Sequence, residues 1–204
     1  MRTSFDPLAL GSGFYSVLTA VVVPRPIAWV STRSVDGVDN LAPHSFFTVA
    51  CVRPAVVQFT SVGRKDSLRN VEATGQFVVN LAPEPLFEAV NATGADFPPE
   101  VSELDAVGLT RRSSEKVQPP GVAESPVSIE CELHSTICLG DSTIVLGRVV
   151  WVSVDDEALV GGHPDIGRLR PLSRLGRDEW GTAGQVRSIP RISYADWQQR
   201  CAEQ

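Results

Sequence analysis

Seven consecutive residues, Ser61-Val62-Gly63-Arg64-Lys65-Asp66-Ser67, carry most of the chemistry that the sequence offers. They stand between the end of an apolar, β-branched run and the start of a segment with helical spacing. The first N–H groups of a helix have no partner inside it, and its dipole is positive at that end. Arg64 and Lys65 add full positive charge there, and Ser61 and Ser67 add hydroxyl donors. The ligand that suits such a junction best is a phosphate. Read without a ligand, the same residues make an ordinary capped helix with solvated bases beside it.

A second cluster, Asn40-Leu41-Ala42-Pro43-His44-Ser45-Phe46-Phe47, sets a proline-stiffened turn and polar side chains against two aromatics. A flat polar ring system fits such a surface, although Phe46 and Phe47 taken singly also suit a core. The third cluster, Pro24 to Thr32, reads as a strand whose polar end, Ser31 and Thr32, either donates hydrogen bonds to a ligand or faces solvent. Cys51, Cys131, Cys138 and Cys201 lack C-x-x-C spacing and neighbouring histidines, so buried free thiols are expected and no metal. His44, His134 and His163 are too dispersed to suggest a metal cluster. The chain lacks G-x-G-x-x-G after a strand, G-x-x-x-x-G-K-[ST], G-x-S-x-G and H-E-x-x-H, which disfavours four large enzyme classes and a built-in dinucleotide fold.

The elements that must position these clusters are mostly strands. Tyr15 to Val23, Pro26 to Arg33, Leu41 to Cys51 and Ala55 to Ser61 are β-branched runs cut by turn formers, with Asp36-Gly37 as a hairpin signal. Lys65 to Gly75 predicts a short helix capped by Asp66 or Ser67 and ended by Gly75. Gln76 to Leu81 is a further strand, and Pro85 to Thr93 a second helix stopped by Gly94. Residues 96–125, with Pro98-Pro99 and Pro119-Pro120-Gly121, suit an extended surface excursion. Two long strands, Val127 to Cys138 and Ser142 to Val154, turn at Gly140-Asp141, and a short helix is expected at Tyr194 to Cys201. A small antiparallel barrel with helical additions follows, in one domain over 1–204.

Composition agrees with that picture. The chain has 204 residues, 43% apolar and 21% charged, enough for one domain with a real core. Its net charge of −6, with scattered basic residues, argues against nucleic acid as a partner. No apolar run approaches the roughly 20 residues that cross a bilayer. The N-terminus, Met1-Arg-Thr-Ser-Phe-Asp, lacks the apolar block of a signal peptide, so a cytoplasmic location is expected.

Taken in order, the clusters resemble the FMN-binding split-barrel family of flavin-reductase-like proteins, the group typified by partner components of flavoprotein oxygenases. The resemblance rests on RPIAWVST at 25–32, DNLAPHSFFTVA at 39–50 and PAVVQFTSVGRKDSLRNVEATGQFVVNL at 54–81. It continues through GLT at 108–110, AESPVSIEC at 123–131 and RPLSRLG at 170–176, covering about residues 15–190. It implies a mainly β fold, an antiparallel Greek-key split barrel with a few peripheral helices. It also implies a homodimer with FMN at the subunit interface, the phosphate held by Ser61, Arg64, Lys65, the Asp66 backbone and Ser67. Ser31, Thr32, Ser45, Phe46 and Phe47 then line the ribityl chain and isoalloxazine, and Arg174 faces the flavin or the incoming substrate.

In such an enzyme the cofactor performs the redox step. The implied reaction is hydride transfer from NADH or NADPH, as a transient co-substrate, to FMN, with electrons passing to a second flavin, a partner oxygenase or a small acceptor. His44, the histidine near the implied ring, is a candidate to position a nicotinamide or supply a proton, or else a turn residue bonded to backbone. An FMN-containing electron carrier without nicotinamide activity, and a flavin-binding module without turnover, are the alternatives. Trp151 and Ser153 stand where histidines are common in this family. Gly176-Arg177-Asp178-Glu179-Trp180 replaces a glycine pair followed by tyrosine. Neither departure falls in the phosphate or ring clusters, so both bear on the substrate.

Overall fold

Alternation of apolar residues along the strands decides the architecture. In strand β1 (Ala28–Arg33), Ala28 and Val30 face one way and Trp29 the other, and all three are fully buried, so both faces of this strand are covered. The same holds in β5 (Gln76–Leu81), where Phe77 and Val79 join Ala28 and Val30 inside the barrel. A computed structural model describes residues 1–202 and shows one seven-stranded antiparallel sheet. Its other strands are β2 (Asp39–His44), β3 (Phe47–Cys51), β4 (Val56–Val62), β6 (Val127–Leu139) and β7 (Ser142–Val154), in the spatial order β2-β1-β5-β6-β7-β4-β3. Thr60 N donates to Phe46 O at 2.9 Å, which extends the β3–β4 ladder by one pair back toward the turn that leaves β2.

The barrel interior packs Phe59 against Phe77 edge-on at 5.4 Å, with Val57, Val145 and Cys131 around them. Full burial of rings this size stabilises by roughly 1.5–3 kcal/mol apiece. Gly147 makes this packing possible, since a Cβ there would sit 2.2 Å from Phe77 Cζ. A second apolar cluster lies outside the barrel wall, where Trp29, Leu41 and Ile27 meet Val90 of helix α3 (Phe87–Ala92) and Leu104 of helix α4 (Glu103–Ala106). A buried polar network stitches this outer layer. Asn80 donates to Trp29 O at 3.1 Å and Ser31 Oγ at 3.2 Å, and its Oδ1 accepts from Val122 N at 2.9 Å.

Three expectations are corrected. Tyr15 to Val23 is not a strand: Phe14–Val21 forms helix α1, because a short apolar run does not by itself distinguish strand from helix. The 96–125 segment is not only a surface excursion. It contains α4 and a two-residue ladder pairing Arg111–Arg112 with Gly121–Val122, and it buries Leu104, Val117 and Val122. Asp39, nearly inaccessible, ties it down by accepting from Arg33 Nε and Arg111 Nε, both at 2.7 Å. The cysteines are not all buried: Cys131 is, but Cys138 and Cys201 are exposed. Burial pushes the Cys131 thiol up to about 12, which makes it an inert core residue. Helix α2 spans Asp66–Thr74, and helix α5 spans Tyr194–Ala202.

Candidate functional site

A cleft of about 250 Å³ opens where β2, the end of β4 and the start of α2 converge, roofed by the loop after α3. Period-two geometry aims Asn40, Ala42 and His44 of β2 into it. The turn that follows adds Ser45 and Phe46; β4 adds Thr60, Ser61 and Val62; α2 adds Lys65, Asp66 and Ser67; α4 contributes Glu103.

At the α2 end, Gly63 takes φ +75°, a left-handed backbone that swings the chain from strand into helix. Lys65 occupies the cap position in extended conformation, and no side chain caps the helix, so neither Asp66 nor Ser67 plays the expected role. The first N–H groups of α2 are therefore available to an anion. Lys65 instead reaches across to the exposed Asp96, with 2.5 Å between Nζ and Oδ1, and Arg64 pairs with Glu72 at 2.7 Å. Exposed pairs of this kind are worth about 0–1 kcal/mol, so an incoming phosphate exchanges them at little cost. Ser61 Oγ donates to Gly63 O at 2.9 Å, and Ser67 Oγ lies 3.3 Å from His44 Nε2.

His44 sits between Ser67 and the barrel, its ring 4.7 Å from that of Phe59 and its Nδ1 3.4 Å from Thr60 O. Desolvation by the surrounding protein lowers its pKa to about 4. The ring is neutral at pH 7 and does not titrate near neutrality as its type alone suggests. A carbonyl only accepts, so the neutral ring carries its proton on Nδ1 and presents Nε2 as an acceptor toward Ser67.

The far end is polar and buried. Glu103 accepts from Leu41 N at 2.9 Å, and burial raises its carboxyl above the ordinary range against the opposing pull of that bond. Beside it, Asn40 Nδ2 is buried and has no hydrogen-bond partner among the described residues. An orphaned N–H costs about 1–3 kcal/mol, and a ligand carbonyl satisfies it.

Of the residues singled out from sequence, His44, Ser45, Phe46, Ser61, Lys65, Asp66 and Ser67 line this cleft. Phe47 packs against the barrel core, and Arg64 is two-thirds exposed outside. The side chains of Ser31 and Thr32 are engaged elsewhere: Ser31 Oγ donates to Pro120 O, and Thr32 Oγ1 accepts from Asn70 at 3.0 Å. Arg174 lines an adjoining cavity. Asn40 opens the second cluster of the sequence without a ligand role of its own there, and Glu103 belongs to none of the clusters. Strand alternation with His44 marks Asn40, whereas nothing local marks Glu103.

The sequence profile described as flavin reductase like domain matches residues 20–165. The chain belongs to this flavin reductase-like family. Membership places it among flavin-related oxidoreductases. An uncharacterized protein of Halalkalibacterium halodurans is 40% identical over 189 residues, which span 87% of this chain and 90% of that one. Among solved structures, nitrilotriacetate monooxygenase component B from Bacillus cereus superposes with a TM-score of 0.89 at 32% identity, over 93% of this chain and 99% of that one. A split barrel domain protein from Shewanella frigidimarina superposes with a TM-score of 0.85 at 20% identity, over 94% and 100% of the two chains, and bears out the mainly β split-barrel fold. No helix among the described residues is long and apolar enough to cross a membrane.

Proposed function

We propose that this flavin reductase-like chain binds FMN in the cleft and acts as an FMN-dependent oxidoreductase of the NAD(P)H:flavin reductase type. The observation that carries the reading is the pairing of two unsatisfied donor sets in one cleft: the uncapped start of α2, and the orphaned Asn40 amide. The first suits a single terminal phosphate, the second a carbonyl of a flat heterocycle, and a mononucleotide presents both.

In this reading Ser61, Lys65, Ser67 and the Asp66 backbone hold the phosphate, with Arg64 adding field from outside. Ser45 and Phe46 wall the ring, and Asn40 donates to it. Bound FMN would supply two-electron chemistry between NADH or NADPH and an acceptor that is a flavin, a partner oxygenase or a small molecule. The residues bind, orient and exclude water; neutral His44 fixes the Ser67 hydroxyl and carries no surplus proton at pH 7. Ser31 and Thr32 support the wall from behind, and Phe47 anchors it to the core. The chain functions as a homodimer, a reading favoured by the exposed Leu18, Val21, Val22 and Val23 around α1 and by Trp151 and Val152 on β7.

The test is the absorbance spectrum of the purified chain after FMN titration, followed by anaerobic mixing with NADH and NADPH. A saturable flavin spectrum that bleaches with either nucleotide is expected. A bound flavin that bleaches with neither reduces the protein to an electron carrier, and a chain that never takes up FMN defeats the reading. Light scattering that returns a monomer of 22.0 kDa defeats the homodimer.

A further inference from the structure

A second cavity, about 230 Å³, adjoins the cleft and shares Pro43, Ser45 and Gly94 with it. Its outer wall is a small sheet in which Arg174 pairs in register with both Arg25 and Trp180. The Arg174 guanidinium lies 4.7 Å over the Trp180 ring, and Phe87 holds that ring edge-on at 5.1 Å. Arg174 and Trp180 stand beyond the stretch that the family profile matches.

The charges here are unbalanced. Arg174 makes one hydrogen bond, from Nη2 to Arg177 O at 2.7 Å, which leaves Nε and Nη1 unused. Its neighbour Arg25 is buried and spends its guanidinium on the carbonyls of Thr19, Val22 and Leu175. Among the described residues neither arginine has a carboxylate within ion-pair distance; Asp178 and Glu179, in the adjoining turn, are exposed and pair with neither. Arg25 is held below its ordinary range by burial and further by the charge of Arg174. The half-used Arg174 guanidinium over an indole, lining a cavity and with buried Arg25 paired behind it in the sheet, favours a ligand that brings both negative charge and a flat face.

We propose that this cavity is the substrate subsite of the proposed flavin site and that it takes an aromatic carboxylate, with the carboxylate on the free edge of Arg174 and the ring against Trp180. The assignment rests on the FMN reading for its role and on the cavity alone for its binding. Ser45 and Pro43, common to both spaces, put the ligand's ring next to whatever occupies the main cleft.

The test titrates benzoate and its neutral isostere benzamide into the full chain, with and without FMN, following tryptophan fluorescence and, with FMN, the flavin absorbance. Benzoate is expected to bind at least about tenfold tighter than benzamide, since a charge-assisted fork distinguishes them. R174Q is expected to abolish that preference while benzamide binding stays, R174K to restore part of it, and W180F to remove the fluorescence response. Unchanged melting temperatures show that the variants fold. Equal affinity for the two ligands, or a preference that survives R174Q, overturns the assignment. So does an R174Q effect confined to the KM for NADH. Arg174-dependent benzoate binding in a chain that takes up no FMN upholds the cavity while the flavin reading falls. FMN binding with no benzoate response overturns the cavity alone.

Discussion

At one end of the cleft, Ser61, Lys65 and Ser67 come from seven consecutive residues; at the other, Asn40 stands beside a Glu103 carboxylate that bonds Leu41 across 62 positions of chain. The first end is a local device. Gly63 turns the chain, α2 presents its unpaired N–H groups, and the charged side chains lie in exposed pairs that a ligand displaces. The second end is a tertiary device, a buried carboxyl and a buried amide brought together only when the 96–125 segment docks on β2. Exposed charge marks the first end, at Lys65, and an unpaired buried amide the second, at Asn40.

Substitution at the local end has the largest expected effect. Lys65→Ala combined with Ser67→Ala is expected to weaken FMN binding roughly 100-fold or more, because each charge-assisted bond is worth about 1.5–3 kcal/mol. Stability of the ligand-free chain should fall only by the lost Ser67–His44 hydrogen bond, about 1–3 kcal/mol, since the Lys65 pair is exposed. Fluorescence titration and calorimetry read the two quantities; a large fall in stability with intact FMN affinity would reverse the roles assigned to the two ends.

Asn40→Leu sharpens the contrast from the other side. It removes an orphaned donor, so the ligand-free chain is expected to hold its stability or gain about 1 kcal/mol, while FMN affinity drops about tenfold. Denaturant melts and FMN titration check this, and a loss of stability would show that the amide has a structural partner.

Smaller effects come from the two titrating groups. Glu103 has a folded pKa raised by burial, so its contribution to stability is complete below the ordinary value of 4.5 and is lost as pH rises through the raised value. Glu103→Gln keeps an acceptor for Leu41 N and should melt higher than the parent at pH 7, with the advantage vanishing as pH falls below 4.5. His44 has the opposite sign. Its folded value of about 4 lies below the ordinary 6.5, so its contribution is complete above 6.5 and is lost as pH falls toward 4. His44→Gln should flatten that part of the stability profile, and the parent's reductase rate should show no inflection from this residue near pH 6.5. Melting curves at stepped pH, and rates over the same range, read both.

The same division explains what could be read from sequence. The strands Ala28–Arg33, Val56–Val62 and Gln76–Leu81 announce themselves by β-branched composition; Gly37 marks the turn after the first, and Gly140 the turn between Val127–Leu139 and Ser142–Val154, both with positive φ. The α2 junction is legible because strand, glycine, bases and helix follow one another directly. Helix α1 is not, because Val17, Val21 and Thr19 favour a strand locally and the outcome depends on what the segment packs against. The docking of 96–125 is illegible for another reason: Leu104, Val117 and Val122 are isolated apolar residues with no shared period, and their burial depends on Asp39 and on Glu130, which accepts from Glu115 N at 2.8 Å and Lys116 N at 2.6 Å. The partners that the Ser31 and Thr32 hydroxyls find, Pro120 and Asn70, are not legible either, because a polar strand end looks the same whichever group it meets.

The central claim is that a terminal phosphate docks at the start of α2. Parallel titration of the chain with FMN and with riboflavin, which differ only in that phosphate, tests it most directly. FMN is expected to bind at least about 100-fold tighter, the gap closing in the Lys65→Ala, Ser67→Ala variant. Equal affinity for the two, in the parent chain, would contradict it.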